Sequence, residues 1–150
     1  MRNPPFSFKK AKDSTGFLLW QTTISWQRLI KKALEPYSIS HAQFVIMAIL
    51  LWLQGQKQEI SQIDIVEMSK LDKMTISKSL KKLSCLNFVQ RIEHSKDTRA
   101  KAVVLTKSGI TLANKLVPMI EKIDAKFFSK IDNNQEKDLV TILQKLTTKI

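Results

Sequence analysis

The stretch EISQIDIVEMSKLDKMTISKSLKKL, residues 59–83, decides the fold. It holds two short helical patterns in tandem. Ser61 can cap the first, with Asp64 at the reciprocal position of a capping box. Ile65, Val66 and Met68 give that helix an apolar side. Asp72 can cap the second helix. There Ile76, Leu80 and Leu83 fall at i, i+4 and i+7, which makes one buried stripe. The opposite face carries Met74, Lys78 and Lys81, flanked by Thr75, Ser77 and Lys82. Two capped helices in close succession, the second with a basic and hydroxylic outer face, predict a helix-turn-helix.

After Asn87 come two short apolar runs, Phe88–Ile92 and Lys101–Leu105, read as strands. They are joined by HSKDTRAK, residues 94–101, a turn with neither glycine nor proline. Hairpin turns usually lean on those residues. The charge of this one suits a wing tip that faces phosphates. The helix-turn-helix and hairpin together predict a winged domain.

The flanks are helical. Residues 14–34 repeat Leu19, Trp26, Leu29, Ile30 and Ala33 at helical spacing, and Pro36 ends the pattern. Ser40 and Gln43 form a capping box for a helix that is apolar nearly all round, expected at the centre of the domain. Thr106 caps a long helix with the stripe Leu112, Leu116, Met119, Ile120, Ile123, Phe127 and Ile131, which Pro118 is expected to kink. Asn133 and Glu136 open a last helix, with Leu139, Ile142, Leu143, Leu146 and Ile150 on one side. The fold expected is mainly α: a winged helix-turn-helix with a small two-stranded wing. Residues 1–36 and 111–150 supply more apolar helix than one small domain needs, and are expected to dimerise around a DNA-binding domain at 37–110.

Net charge is +12 over 150 residues, which points to a polyanionic partner. The excess is local. Residues 1–36 hold seven basic and two acidic side chains, and residues 61–110 hold ten and five. The single cysteine, Cys85, rules out an intramolecular disulfide and suits a reducing cytoplasm. The longest apolar run, Phe44–Leu53, is too short to span a bilayer, and MRNPPFSFKK has no apolar segment of signal-peptide type. A cytoplasmic protein that does not engage membrane is expected.

The sequence resembles the MarR family of bacterial transcriptional regulators. The resemblance rests on IVEMSKLDKMTISKSLKKLSCLNFVQR, on the wing HSKDTRAKAVVLT with its D-x-R-A pattern at Asp97, Arg99 and Ala100, and on LTKSG leading into the long helix. It covers roughly residues 15–150. It implies a helical homodimer whose N- and C-terminal helices pair across a two-fold axis. It implies that Arg99 enters the minor groove with Asp97 in support. It also implies control by a small, often aromatic or phenolic, effector. The sequence departs from the family's pattern at Asn87, usually Gly, and at Met74, where a small hydroxylic residue is commoner.

The expected DNA-contacting residues are Lys73, Met74, Thr75, Ser77, Lys78 and Lys81 on the second helix, with Ser77 and Lys78 near bases and Lys73 and Lys81 on the backbone. On the wing they are Lys96, Asp97, Arg99 and Lys101. Cys85 reads as a buried small apolar residue rather than a redox switch. His41 and His94 stand too far apart for a metal site. Trp20, Trp26 and Trp52, with Phe44, could line an apolar effector pocket or belong to core or dimer interface; at helical spacing they read as core by default. Ser79 to Lys82 matches S-x-x-K by chance, without companion motifs. No catalytic constellation and no cofactor motif is evident, so an enzyme is not expected. The competing reading is a winged-helix interaction module that binds protein or an anionic surface without specific DNA recognition.

Overall fold

The computed structural model describes residues 5–56, 59–93 and 101–148. Helices α1 (Thr15–Leu34), α2 (His41–Gln54), α3 (Gln62–Ser69) and α4 (Lys73–Cys85) precede a hairpin of β1 (Val89–Glu93) and β2 (Lys101–Leu105). Helices α5 (Lys107–Phe128) and α6 (Asn133–Thr147) follow. The predicted order of elements is therefore present, and the fold is mainly helical with a two-stranded antiparallel sheet.

Local chemistry sets the helix boundaries. Ser14, Ser40, Ser61, Asp72 and Thr106 cap α1 to α5 with their side-chain oxygens. Ser40–Gln43 and Ser61–Asp64 are reciprocal boxes, as expected. The last box lies one residue earlier than expected: Asp132 and Gln135 cap α6, not Asn133 and Glu136. Both pairs fit the same spacing rule, so the pattern alone does not choose between them. Helix α5 continues through Pro118. The carbonyl that Pro118 leaves without a helical donor is that of Asn114, on the exposed side.

Helix α2 is the hub of the core. Its Phe44, Ile46, Met47, Ile49 and Leu50 are buried, together with Ile65 of α3, Ile76, Leu80 and Leu83 of α4, Val103 of β2, and Ala113 and Leu116 of α5. A short segment of third strand lies on the sheet. The Val103 N–H donates to the Ile60 carbonyl at 2.7 Å, and Ser61 bridges Ala102. Two residues show no alternation, so the sequence gives no sign of this pairing.

The outer helices contribute less to the core than their periodicity suggests. Helix α1 buries only Ile30 and Leu34, and α6 buries nothing. Leu19, Leu29 and Trp20 of α1 are exposed, as is Trp52 of α2. The reading of the tryptophans as core is thus corrected for Trp20 and Trp52. Trp26 is half-buried and Phe44 is buried. Met68, assigned to the apolar side of α3, is also exposed. Among the described residues, no single helix is long and apolar enough to cross a membrane.

Candidate nucleic-acid interface

The candidate interface is built on α4. At its start the Asp72 carboxylate accepts both the Thr75 N–H and the Thr75 hydroxyl, each at 2.8 Å. These bonds hold the Asp72 carboxyl below the usual carboxylate range, the Thr75 N–H contributing most. At its end the Phe88 N–H donates to the Leu83 carbonyl and the Asn87 N–H to the Ser84 carbonyl. That is a complete Schellman closure. Asn87 has φ of 63°, so it fills the left-handed position where the resembled family usually has Gly. Phe88 is used up in the closure, and the strand therefore begins at Val89, one residue later than expected.

Between these ends, α4 buries Ile76, Leu80 and Leu83 and turns Lys73, Met74, Ser77, Lys78 and Lys81 outward. Met74 is 67% exposed, the largest apolar surface on that face. Thr75 is half-buried, and its hydroxyl proton is committed to Asp72. Its oxygen retains acceptor capacity only. Ser79 is buried, away from this face. Cys85, expected to be buried, is exposed. It lies nine residues beyond Ile76, and at about 100° per residue that is the opposite side of the helix.

The wing follows. In the hairpin register Val89 faces Leu105, Arg91 faces Val103, and Glu93 faces Lys101. Lys101 thus opens β2. Lys96, Asp97, Arg99 and His94 lie outside the described residues. Sequence reading missed Arg91, whose Nη2 donates to the Ser77 carbonyl at 3.0 Å and ties wing to helix. The LTKSG motif is architectural. The hydroxyls of Thr106 and Ser108 both donate to the Asn87 carbonyl, at 2.6 and 2.8 Å, and Gly109 packs on the Phe88 backbone.

Elsewhere, α1, the turn after it and the start of α2 border an open groove of about 650 Å³. Ile24, Arg28, Lys31, Ile39 and His41 are among its lining residues. Burial pushes the His41 imidazole below its ordinary pKa, and the Asp124 carboxylate partly opposes that.

Comparison with known proteins agrees with this geometry. The family described as "ArnR1-like, winged-helix domain" matches residues 35–123. The HTH-type transcriptional regulator YdcH of Bacillus subtilis is 32% identical over 122 residues, covering 81% of this chain and 83% of YdcH. The chain belongs to the MarR family of winged helix-turn-helix transcriptional regulators. Solved structures with the same fold include Bordetella bronchiseptica BpsR, whose DNA binding is regulated by 6-hydroxynicotinic acid. It matches with a TM-score of 0.84 and 22% identity over 98% of this chain and all of BpsR. MepR of S. aureus, in complex with DNA, matches with a TM-score of 0.80 and 21% identity over 89% of this chain and 96% of MepR. In this MarR-family regulator, then, α4 is the second helix of the helix-turn-helix and the β1–β2 hairpin its wing.

Proposed function

We propose that this regulator is a homodimeric repressor that binds a pseudo-palindromic operator. The observation that carries the reading is the outer face of α4. A helix capped at both ends and buried along one stripe presents Lys73, Met74, Ser77, Lys78 and Lys81 together. Such a helix fits the major groove, with Ser77 and Lys78 at base edges and Lys73 and Lys81 on phosphates. Thr75 completes the set as an acceptor. Lys96, Asp97, Arg99 and Lys101 are assigned to the wing and the flanking minor groove, where arginine suits narrow, electronegative A·T-rich sequence.

Dimerisation is assigned to residues 1–36 and 111–150, and DNA binding to residues 37–110. The apolar surface of α1 and α6 that no described part of the same chain covers supports this division. A small aromatic or phenolic effector is assigned to the groove beside α1. Its lining by Ile24 and Ile39, with Arg28, Lys31 and His41 against the single carboxylate Glu35, suits a ring that bears a polar or acidic group. Effector binding there lowers operator affinity only if the groove differs between the two lobe spacings. The protein works in the cytoplasm, has no enzymatic activity and requires no cofactor.

Selection of bound sequences from a random DNA pool by the full chain tests the reading. An inverted repeat with half-sites about one helical turn apart is expected. A directional repeat would overturn the symmetric dimer. Absence of any preference would favour a winged-helix module that binds protein or an anionic surface.

A further inference from the structure

In strand β1, Val89 and Gln90 follow the alternation of an ordinary half-buried strand, but Arg91 and Ile92 reverse it. Directly opposed residues of antiparallel strands share a face of the sheet. The register places Arg91 opposite Val103 and Val89 opposite Leu105. Val89, Val103 and Leu105 are all buried, so Arg91 enters the core-side face. Ile92, next in the chain, is 45% exposed. A strand shaped for stability alone would exchange the two residue types. An inward guanidinium loses water from donors that then need acceptors. Arg91 as a whole is half-buried: its Nη2 reaches the Ser77 carbonyl at 3.0 Å at the exposed end, while Nε is buried with no hydrogen-bond partner among the described residues. Ser77 lies within the helical ladder of α4, so the helix does not need this bond to form. A buried donor left unsatisfied calls for an explanation beyond stability.

We propose that Arg91 is a positioning residue for operator recognition. It acts as a strut that fixes the wing against the recognition helix, so that major- and minor-groove contacts are made in one register. It joins the two elements assigned to DNA, across 14 residues of chain. It grips the backbone of α4 rather than a side chain, so the wing follows the helix itself and not a rotamer. The planar guanidinium fork holds a direction that a lysine ammonium on its flexible stem does not. The inference rests on the reading of α4 and the wing as the DNA-contacting pair.

The test uses the full chain, the operator selected from the random pool, and the variants Arg91→Met and Arg91→Lys. Arg91→Met is expected to melt at or above the parental temperature, because an apolar side chain replaces an unsatisfied donor. Its operator affinity is expected to fall about tenfold or more, a loss comparable to a mismatched base pair. Affinity for random DNA should barely change, and the salt dependence of binding should keep its slope, since no phosphate contact is lost. Arg91→Lys should not restore the preference. An unchanged ratio of operator to random affinity in Arg91→Met would overturn the strut. So would equal losses on both DNAs with a salt slope lower by about one, the sign of a direct phosphate contact. Should Arg91→Met fail to fold, Arg91→Lys carries the test: a reduced ratio at parental melting temperature is expected, and a parental ratio overturns the inference. A parent chain with no sequence preference would overturn the DNA reading itself, whatever the variants do.

Discussion

The indole N–H of Trp26 on α1 donates to the Asp124 carboxylate on α5 at 2.7 Å, joining residues 98 apart in the chain. His41, at the start of α2, meets the Trp26 ring edge-on with centroids 5.1 Å apart. Three helices thus converge on one part-buried polar contact. Trp26→Phe keeps the ring packing and leaves the carboxylate without its donor. The expected loss of stability is about 1.5–3 kcal/mol, the range for a hydrogen bond to a charged group. Asp124→Asn should lose less, because an amide oxygen still accepts. Urea unfolding of the single and double variants at fixed protein concentration checks the coupling. Additive losses would show that the bond contributes nothing.

The same cluster predicts a pH dependence. Burial lowers the His41 pKa from 6.5, and Asp124 raises it by a smaller amount. Below pH 6.5 the unfolded chain therefore binds more protons at this position than the folded one. Stability from the neutral imidazole is fully present above that value and is lost as pH falls through it toward the folded value. His41→Gln should flatten the melting-temperature profile between about pH 7 and 5. Asp124→Asn should steepen the parental profile, since it removes the opposing charge. Parallel profiles for the parent and His41→Gln would place the pH sensitivity elsewhere.

Gly109 shows what close approach demands. A Cβ built there would lie 2.0 Å from the Phe88 carbonyl oxygen and 3.0 Å from its carbon. Both atoms are backbone and cannot swing aside, so a methyl group must push α5 off the hairpin. That movement also strains the Thr106 N–H bond to Phe88 and the Thr106 and Ser108 hydroxyl bonds to Asn87. Gly109→Ala is expected to cost about 3 kcal/mol. A drop in urea midpoint at unchanged m-value checks it, and a midpoint within error of the parent would refute it.

These contacts show what a sequence can and cannot reveal. The boundaries of α4 were legible because Asp72, Ile76, Leu80, Leu83 and Asn87 each have a single local role, in capping, stripe or closure. Leu19 and Trp20 were harder. Helical spacing marks a side chain as apolar on one face, but not which surface covers it. Cys85 has apolar chain neighbours, Leu83 and Leu86, that suggest burial, while its angle around the helix puts it on the exposed side. Arg91 left a trace in the sequence, an arginine two residues after Val89 in a strand. Recognising it required the pairing with Val103, which only the register supplies.

On the wing, Arg99→Ala is expected to remove most operator binding while the dimer stays folded. A single positioned arginine at a groove contributes about 1–3 kcal/mol of discrimination. Asp97→Asn should weaken binding less if Asp97 only orients Arg99. Mobility-shift titration at one fixed salt concentration checks both. Parental affinity in Arg99→Ala would remove the wing from the proposed interface.

The proposed dimer can be separated from the fold of one chain, because α6 buries no residue of its own. Ile142, Leu143 and Leu146 are 53%, 39% and 69% exposed, and Trp20 on α1 is 64% exposed. Covering one such leucine contributes about 2 kcal/mol, and a two-fold axis counts each position twice. Leu143→Glu with Leu146→Glu should therefore remove several such contributions and place charges at the seam. The expected product is a monomer that keeps the winged lobe, since Ile76, Leu80 and their partners are untouched. Operator affinity should collapse along with it, because two half-sites gain only while one dimer links them at high effective concentration. Sedimentation equilibrium reads the first outcome and mobility shift the second. A double variant that remains dimeric would move the interface away from α6. A monomer with parental affinity would show that one lobe reads the operator alone.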